Sequence, residues 1–147
     1  MNTQPIRFRW LTGGQEDLSD AFSVRLTVFC DEQGYTPDLE LDEQDNASWH
    51  MVAYDGDKPA ATGRLYWKGT DVVGLGRIAV HQAYRGTGLG AQLVQEMLRR
   101  ATEMGAVWAE LDAQCRVIPF YEKQGFVVCG EEHMDGHVPH RMMRRRL

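Results

Sequence analysis

Three glycines at alternate positions, within Arg85-Gly86-Thr87-Gly88-Leu89-Gly90-Ala91, stand between an apolar run at 72–80 and the most regular amphipathic stretch of the chain. That stretch, 88–104, repeats Leu89, Leu93, Val94, Met97, Leu98 and Ala101 at helical spacing, with Gln92, Gln95, Glu96, Arg99, Arg100 and Glu103 opposite and Gly105 at its end. A second apolar run follows at 107–113. Strand, glycine loop, helix and strand in this order form a parallel crossover, so the fold must contain a sheet with at least one parallel pair. The loop also predicts a ligand. The first turn of a helix carries N–H groups without internal partners and a partial positive charge. Glycines remove the side chains that would hold a phosphate away, and Arg85 adds a charged fork, which together suit a pyrophosphate. A mere connection would need neither the arginine nor three glycines, which cost helix entropy.

The remaining elements read more briefly. Residues 6–11 alternate as a strand, and Leu18, Phe22, Leu26 and Phe29 mark a helix face ending near Gly34, with Pro37 beyond it. An acidic loop, 31–46, follows. Strands at 49–54 and 60–67 flank the hairpin signal Asp55-Gly56, and a turn at 68–71 leads to the run at 72–80. A short helix at 119–123 is closed by Gly125, and 126–131 and 138–143 read as a last antiparallel pair around Asp135-Gly136. The order β-α-β-β-β-α-β-α-β-β predicts the α/β (α+β) class, with a mixed, mostly antiparallel central sheet and one parallel βαβ crossover. With 147 residues and no linker or repeat, the expectation is a single domain, 1–147.

Charge excludes some partners. Sixteen basic against 21 acidic residues give a net charge of −5, which disfavours nucleic acid, and the cluster Arg141, Arg144, Arg145, Arg146 reads as a solvated end. No apolar run reaches the ~18–20 residues of a membrane span, and no signal-peptide pattern opens the chain, so no membrane partner and a cytoplasmic location are expected. Cys30, Cys115 and Cys129 fit reduced thiols. His133, His137 and His140 straddle a turn without a completing ligand, so no metal is expected. Gly86-x-Gly88-x-x-Ala91, with Glu110 or Asp112 downstream, formally meets the dinucleotide fingerprint. Three antiparallel-type strands before it, a chain too short for two mononucleotide halves, the arginine and a terminal hairpin count against a dehydrogenase.

The loop, together with Phe120-Tyr121-Glu122-Lys123-Gln124-Gly125-Phe126, resembles the GCN5-related N-acetyltransferase superfamily, and the likeness in element order covers almost the whole chain. The resemblance implies an acyl-CoA N-acyltransferase fold and acetyl-CoA as cosubstrate. It assigns the pyrophosphate to Arg85, Gly86, Thr87, Gly88, Leu89, Gly90 and Ala91. Backbone pairing with the pantetheine arm falls to Ile78, Ala79 and Val80, and further cofactor contacts to Gln114, Phe120 and Lys123. Arg25-x-x-Val28-Phe29-x-x-Glu32-Gln33, Glu40-x-Asp42-x-x-Asp45, His50 and His140-Arg141-Met142 resemble a small branch of the superfamily.

Acetyl transfer needs a deprotonated amine, a polarised carbonyl and a proton for the thiolate. Tyr121 is expected to supply that proton, and a backbone N–H of the strand ending Ile78-Ala79-Val80 to polarise the carbonyl. Gly74 and Gly76 stand where many relatives place a carboxylate base. His50 and His140 are therefore expected to line the acceptor pocket, with Glu110 and Asp112 as other candidates. The acidic loop would attract a cation, so the predicted acceptor is a small primary amine. The alternative is a non-catalytic acyl-CoA-binding regulatory module. Pro139 predicts an edge for the last strand, where a second copy could dock as a homodimer.

Overall fold

Strand β2 (Trp49–Asp55) is buried over most of its length because both of its faces are covered. Met51 and Ala53 point to one core, while the alternating Val52 and Tyr54 point to another. The computed structural model describes residues 5–37 and 41–147, so Asp38 and Glu40 of the acidic loop lie outside the described residues. β1 (Ile6–Thr12), β2, β3 (Lys58–Trp67) and β4 (Val72–Val80) pair antiparallel in turn. Helix α1 (Ser19–Arg25) lies between β1 and β2 in the chain. β4 passes through helix α2 (Leu89–Glu103) to the parallel strand β5 (Trp108–Gln114). Helix α3 (Ile118–Lys123) follows, then β6 (Val127–Val128), β7 (His133–Asp135) and β8 (Val138–Arg146). The sheet order is β1-β2-β3-β4-β5-β8-β6, with β7 also on β8. This is the mixed, mostly antiparallel sheet with one parallel crossover that the element order predicts.

The face of α2 set by its apolar spacing (Leu93, Val94, Met97, Leu98, Ala101) is buried against Met51, Leu65, Val73, Leu75 and Leu111. Gly63 permits the approach: a Cβ there would lie 2.6 Å from Met97 Sδ. On the other face, Leu18 and Ala21 cover Leu11, Val52 and Tyr54, while Val24 and Val28 cover Ala79.

Three expectations need correction. The helix expected to run to Gly34 is α-helical only over Ser19–Arg25, and Leu26–Glu32 is a π-helix. Apolar spacing marks the buried face but not which carbonyl each N–H bonds, so it reads alike through both windings. The strand expected over 126–131 pairs only at Val127–Val128. Beyond it, Cys129 N–H still bonds Met142 O, and Arg141 Nε bonds Gly130 O, so a side chain replaces the ladder there. Finally, β8 is no edge: it lies between β5 and the β6/β7 arm. Pro139 sits one step beyond the last β5–β8 pair, Gln114 with His140, where its missing N–H interrupts no bond to β5.

Candidate active site

Parallel pairing of β4 with β5 runs from Val72–Trp108 to Leu75–Leu111 and stops. Just beyond, β4 is bulged. Thr62 faces Ala79 and Arg64 faces Gly76, so Gly63 is opposed by both Arg77 and Ile78. Arg77 adopts φ 51°, a left-handed conformation rare outside glycine. The bulge bends β4, and a cavity of about 540 Å³ opens where β4 and β5 part. Leu75, Gly76 and Ile78 line one side of the gap; Leu111, Gln114, Val117 and Tyr121 line the other. Among the described residues, the β4 edge past Leu75 has no strand partner on that side, which leaves it able to bond an extended ligand.

The glycine loop follows β4. The chain passes through left-handed turns at Gly86 (φ 77°) and Gly88 (φ 87°), and α2 opens at Leu89. The first intrahelical bond runs from Gln92 N–H to Gly88 O, so the preceding amides have no acceptor within the helix. A Cβ on Gly86 or Gly88 would meet nothing within 4 Å, so the space over the loop is open. At Gly90 the added Cβ would touch Phe120 Cζ at an ordinary 3.5 Å, so that glycine is not what keeps the loop clear. Arg85 bonds Val80 O through Nε (3.0 Å) and Glu32 Oε1 through Nη2 (2.6 Å). Phe120 is half-buried against the core and Lys123 is exposed at the end of α3.

Tyr121 is buried and reaches the cavity wall; burial pushes its phenol far above the ordinary value, which keeps the proton on oxygen. His140 is also buried at the wall. Its Nδ1 lies 2.9 Å from Val138 O, and a carbonyl can only accept, so Nδ1 carries the hydrogen. In the neutral ring this tautomer leaves the lone pair on Nε2, 3.8 Å from Asp135 Oδ2. Gln114 donates to Gln33 Oε1 at 2.7 Å, which ties β5 to the segment after the π-helix.

His50 does not join them. It is wholly buried on β2, edge-on to Phe22, and donates through Nε2 to Asp45 O at 2.9 Å. Burial lowers its proton affinity, and Nδ1 has no partner among the described residues. A side chain closed off in this way cannot line an acceptor pocket. Glu110 is tied to Lys68 (2.9 Å) and lies 3.7 Å from Arg144. Asp112 faces the cavity and bonds His133 Nε2 at 2.8 Å, and that hydrogen bond raises the His133 proton affinity. At Gly74, a Cβ would sit 2.5 Å from Tyr66 Cζ, so the tyrosine ring fills the space a longer side chain would need.

The acidic loop is not the free negative patch that its composition suggests. Asp42 and Asp45 cap the short helix Glu43–Ala47. Asp45 then holds Arg25 (2.7 Å) and Arg64 (2.9 Å), while Asp42 holds Arg64 (2.6 Å) and Arg77 (3.1 Å). Burial raises the Asp45 carboxyl, but the bonds and charges of Arg25 and Arg64 together outweigh it and leave it below the usual range. Sequence reasoning missed this network, and its one local signal was the Asp42-x-x-Asp45 spacing of a cap. Among the described residues, no group of three or more His, Cys, Asp or Glu side chains is placed to hold a metal ion.

The sequence profile of the acetyltransferase (GNAT) family matches residues 15–126. The chain is 40% identical over 133 residues to the uncharacterized N-acetyltransferase YjcF of Bacillus subtilis, covering 89% of this chain and 94% of that one. Its structure superposes on Escherichia coli ElaA with a TM-score of 0.85 at 26% identity, over 96% of this chain and 99% of the other. It also shares its fold, at a TM-score of 0.75 and 14% identity, with a GNAT family acetyltransferase from Elizabethkingia anophelis that has acetyl-CoA bound, over 97% of this chain and 98% of the other.

Proposed function

Because the chain belongs to the acetyltransferase (GNAT) family, and is thereby an acetyl-CoA-dependent N-acetyltransferase, we propose that it moves the acetyl group directly to a primary amine of a small molecule. The observation that carries this reading is the joint between β4 and β5: one cavity opens at the bulge with Tyr121 and His140 in its walls, and the same strand β4 leads on to the glycine loop that opens α2. The diphosphate of the cosubstrate binds the amides and glycines of 86–91 with Arg85 as its counter-charge. The pantetheine arm runs along Ile78–Val80 beside Gln114, on the β4 edge that lacks a strand partner. Phe120 supports the loop by packing near Gly90, and Lys123, exposed at the end of α3, offers a charge to the outer phosphate of the cosubstrate.

His140 Nε2 takes one proton from the acceptor ammonium. The free amine attacks the thioester carbonyl, whose developing charge is met by a β4 backbone N–H. Collapse expels the thiolate, which takes its proton from the Tyr121 hydroxyl, and the phenol regains one from the attacking nitrogen. No helix among the described residues is long and apolar enough to cross a membrane. Cys30, Cys115 and Cys129 read as reduced thiols, which fit a cytoplasmic setting.

Titration calorimetry with CoA and thiol release across an amine panel test this. Tyr121→Phe should retain CoA affinity and lose about 10²–10⁴ in kcat. Arg85→Glu should lose CoA binding. Tight CoA binding without turnover of any amine would instead favour a regulatory acyl-CoA-binding module.

A further inference from the structure

Besides Tyr121 and His140, the cavity lining includes the aromatic residues Phe29, Tyr35 and Tyr66. The same lining carries charged groups from two parts of the sheet. On the β3/β4 side, Arg64 and Arg77 are answered inside the protein by Asp42 and Asp45. On the β5/β7 side, Asp112 is answered by His133. Asp135 differs: its side chain is 54% exposed, and among the described residues no lysine or arginine lies within ion-pair distance of it. Its nearest titratable neighbour in an ion-pair contact is His140 Nε2, 3.8 Å away, and its charge is also felt by His133.

The hairpin tip that carries Asp135 is held in place. The Tyr35 hydroxyl donates to Asp135 O at 2.8 Å, His137 Nε2 bonds Gln33 O, and the Tyr35 and His137 rings lie 5.0 Å apart. The two segments meet across about a hundred residues of chain, which fixes a carboxylate beside a ring nitrogen in the lining of a cavity that also holds Phe29, Tyr35 and Tyr66.

We propose that Asp135 is the specificity-determining residue for the acceptor, selecting a primary ammonium carried on an aromatic or other apolar body. This rests on the acetyltransferase reading of the same cavity. The carboxylate draws the ammonium to His140 Nε2, the rings of Phe29, Tyr35 and Tyr66 take the apolar body, and the cation gains from their faces. After the proton moves from nitrogen to His140, the same carboxylate stabilises the imidazolium until water removes the proton. The atom count closes: one ammonium proton leaves to solvent through His140, and a second ends on the thiol through Tyr121.

The test uses two acceptors of nearly the same shape, 2-phenylethylamine, which is cationic at neutral pH, and O-benzylhydroxylamine, which is neutral there. Wild-type protein should acetylate both. Asp135→Asn should raise KM for 2-phenylethylamine about tenfold, leave KM for O-benzylhydroxylamine within twofold, and leave CoA affinity unchanged by calorimetry. Equal changes for the two acceptors would overturn the proposal, since a merely structural carboxylate does not distinguish them. Wild type that binds CoA but ignores 2-phenylethylamine would also overturn it, with the family assignment intact. Absence of CoA binding would instead remove the reading beneath it.

Discussion

Glu32 Oε1 accepts a hydrogen bond from Arg85 Nη2 at 2.6 Å, joining the π-helical end of the first helix to the glycine loop 53 residues later. The carboxylate thus occupies the guanidinium face that a diphosphate would use. Both groups are partly solvated, so the pair itself contributes little to stability. Glu32→Gln should therefore leave the unfolding midpoint unchanged and tighten CoA binding about two- to fivefold, as read by calorimetry at low salt. Weaker binding would show that Glu32 positions Arg85 for the ligand and does not compete with it.

Asp45 is buried between Arg25 and Arg64, and its loss would remove the buried carboxylate that both guanidiniums share. Asp45→Ala should cost about 3–5 kcal/mol in urea unfolding. The wild-type carboxyl is held below its ordinary value. The stability it contributes is thus fully present above the unfolded value near 4 and drains as pH falls through the lower folded one. Asp45→Asn should flatten the stability profile below about pH 4, and an unflattened profile would place the acid sensitivity elsewhere.

Gly88 and Gly90 look alike in the sequence and should respond differently. Gly88 has φ 87°, so Gly88→Ala should cost about 1 kcal/mol and weaken CoA binding at least tenfold. Gly90 lies in the first turn of α2, and an added methyl meets Phe120 at 3.5 Å. Gly90→Ala should keep the thermal midpoint or raise it, with CoA affinity within threefold. Equal losses of affinity would mean that the backbone at both positions touches the ligand.

His50 is a structural residue in this fold, and kinetics can check that. His50→Gln preserves a donor for Asp45 O and removes the titrating ring, so kcat and KM should stay within threefold of wild type. Burial lowers the proton affinity of the native ring. The unfolded chain therefore protonates first, and the histidine's contribution, complete above about pH 6.5, is lost as pH falls through the lower folded value. The variant should lose less stability than wild type between pH 6.5 and 5. A hundredfold drop in kcat would return His50 to the mechanism.

How far the sequence reached can be seen in particular residues. Leu89 to Ala101 marked a helix face and 49–54 a strand, because such periods are local and survive any packing, whereas the burial of β2 on both faces came only with the fold. The glycine loop was equally legible, since helix ends and left-handed turns are properties of a few adjacent residues. His50 and His140 had the same standing in the sequence, one mid-strand and one near a predicted strand start. Only packing separated them, by closing α1 over one and leaving the other at the gap.

The amino-acid order by itself determined the fold class, the parallel crossover and the glycine turn that opens the long helix, all set by short-range sterics and by hydrophobic periodicity, but it did not show the extra strand β7 that makes the hairpin at Asp135-Gly136. Tertiary structure alone decided where β4 leaves β5, which acidic residues are spent on Arg25, Arg64 and Arg77, and which carboxylate stays open beside His140. Charge in a sequence is only an inventory. Its effect at a site depends on distances between residues far apart in the chain, and those exist only once the sheet has formed.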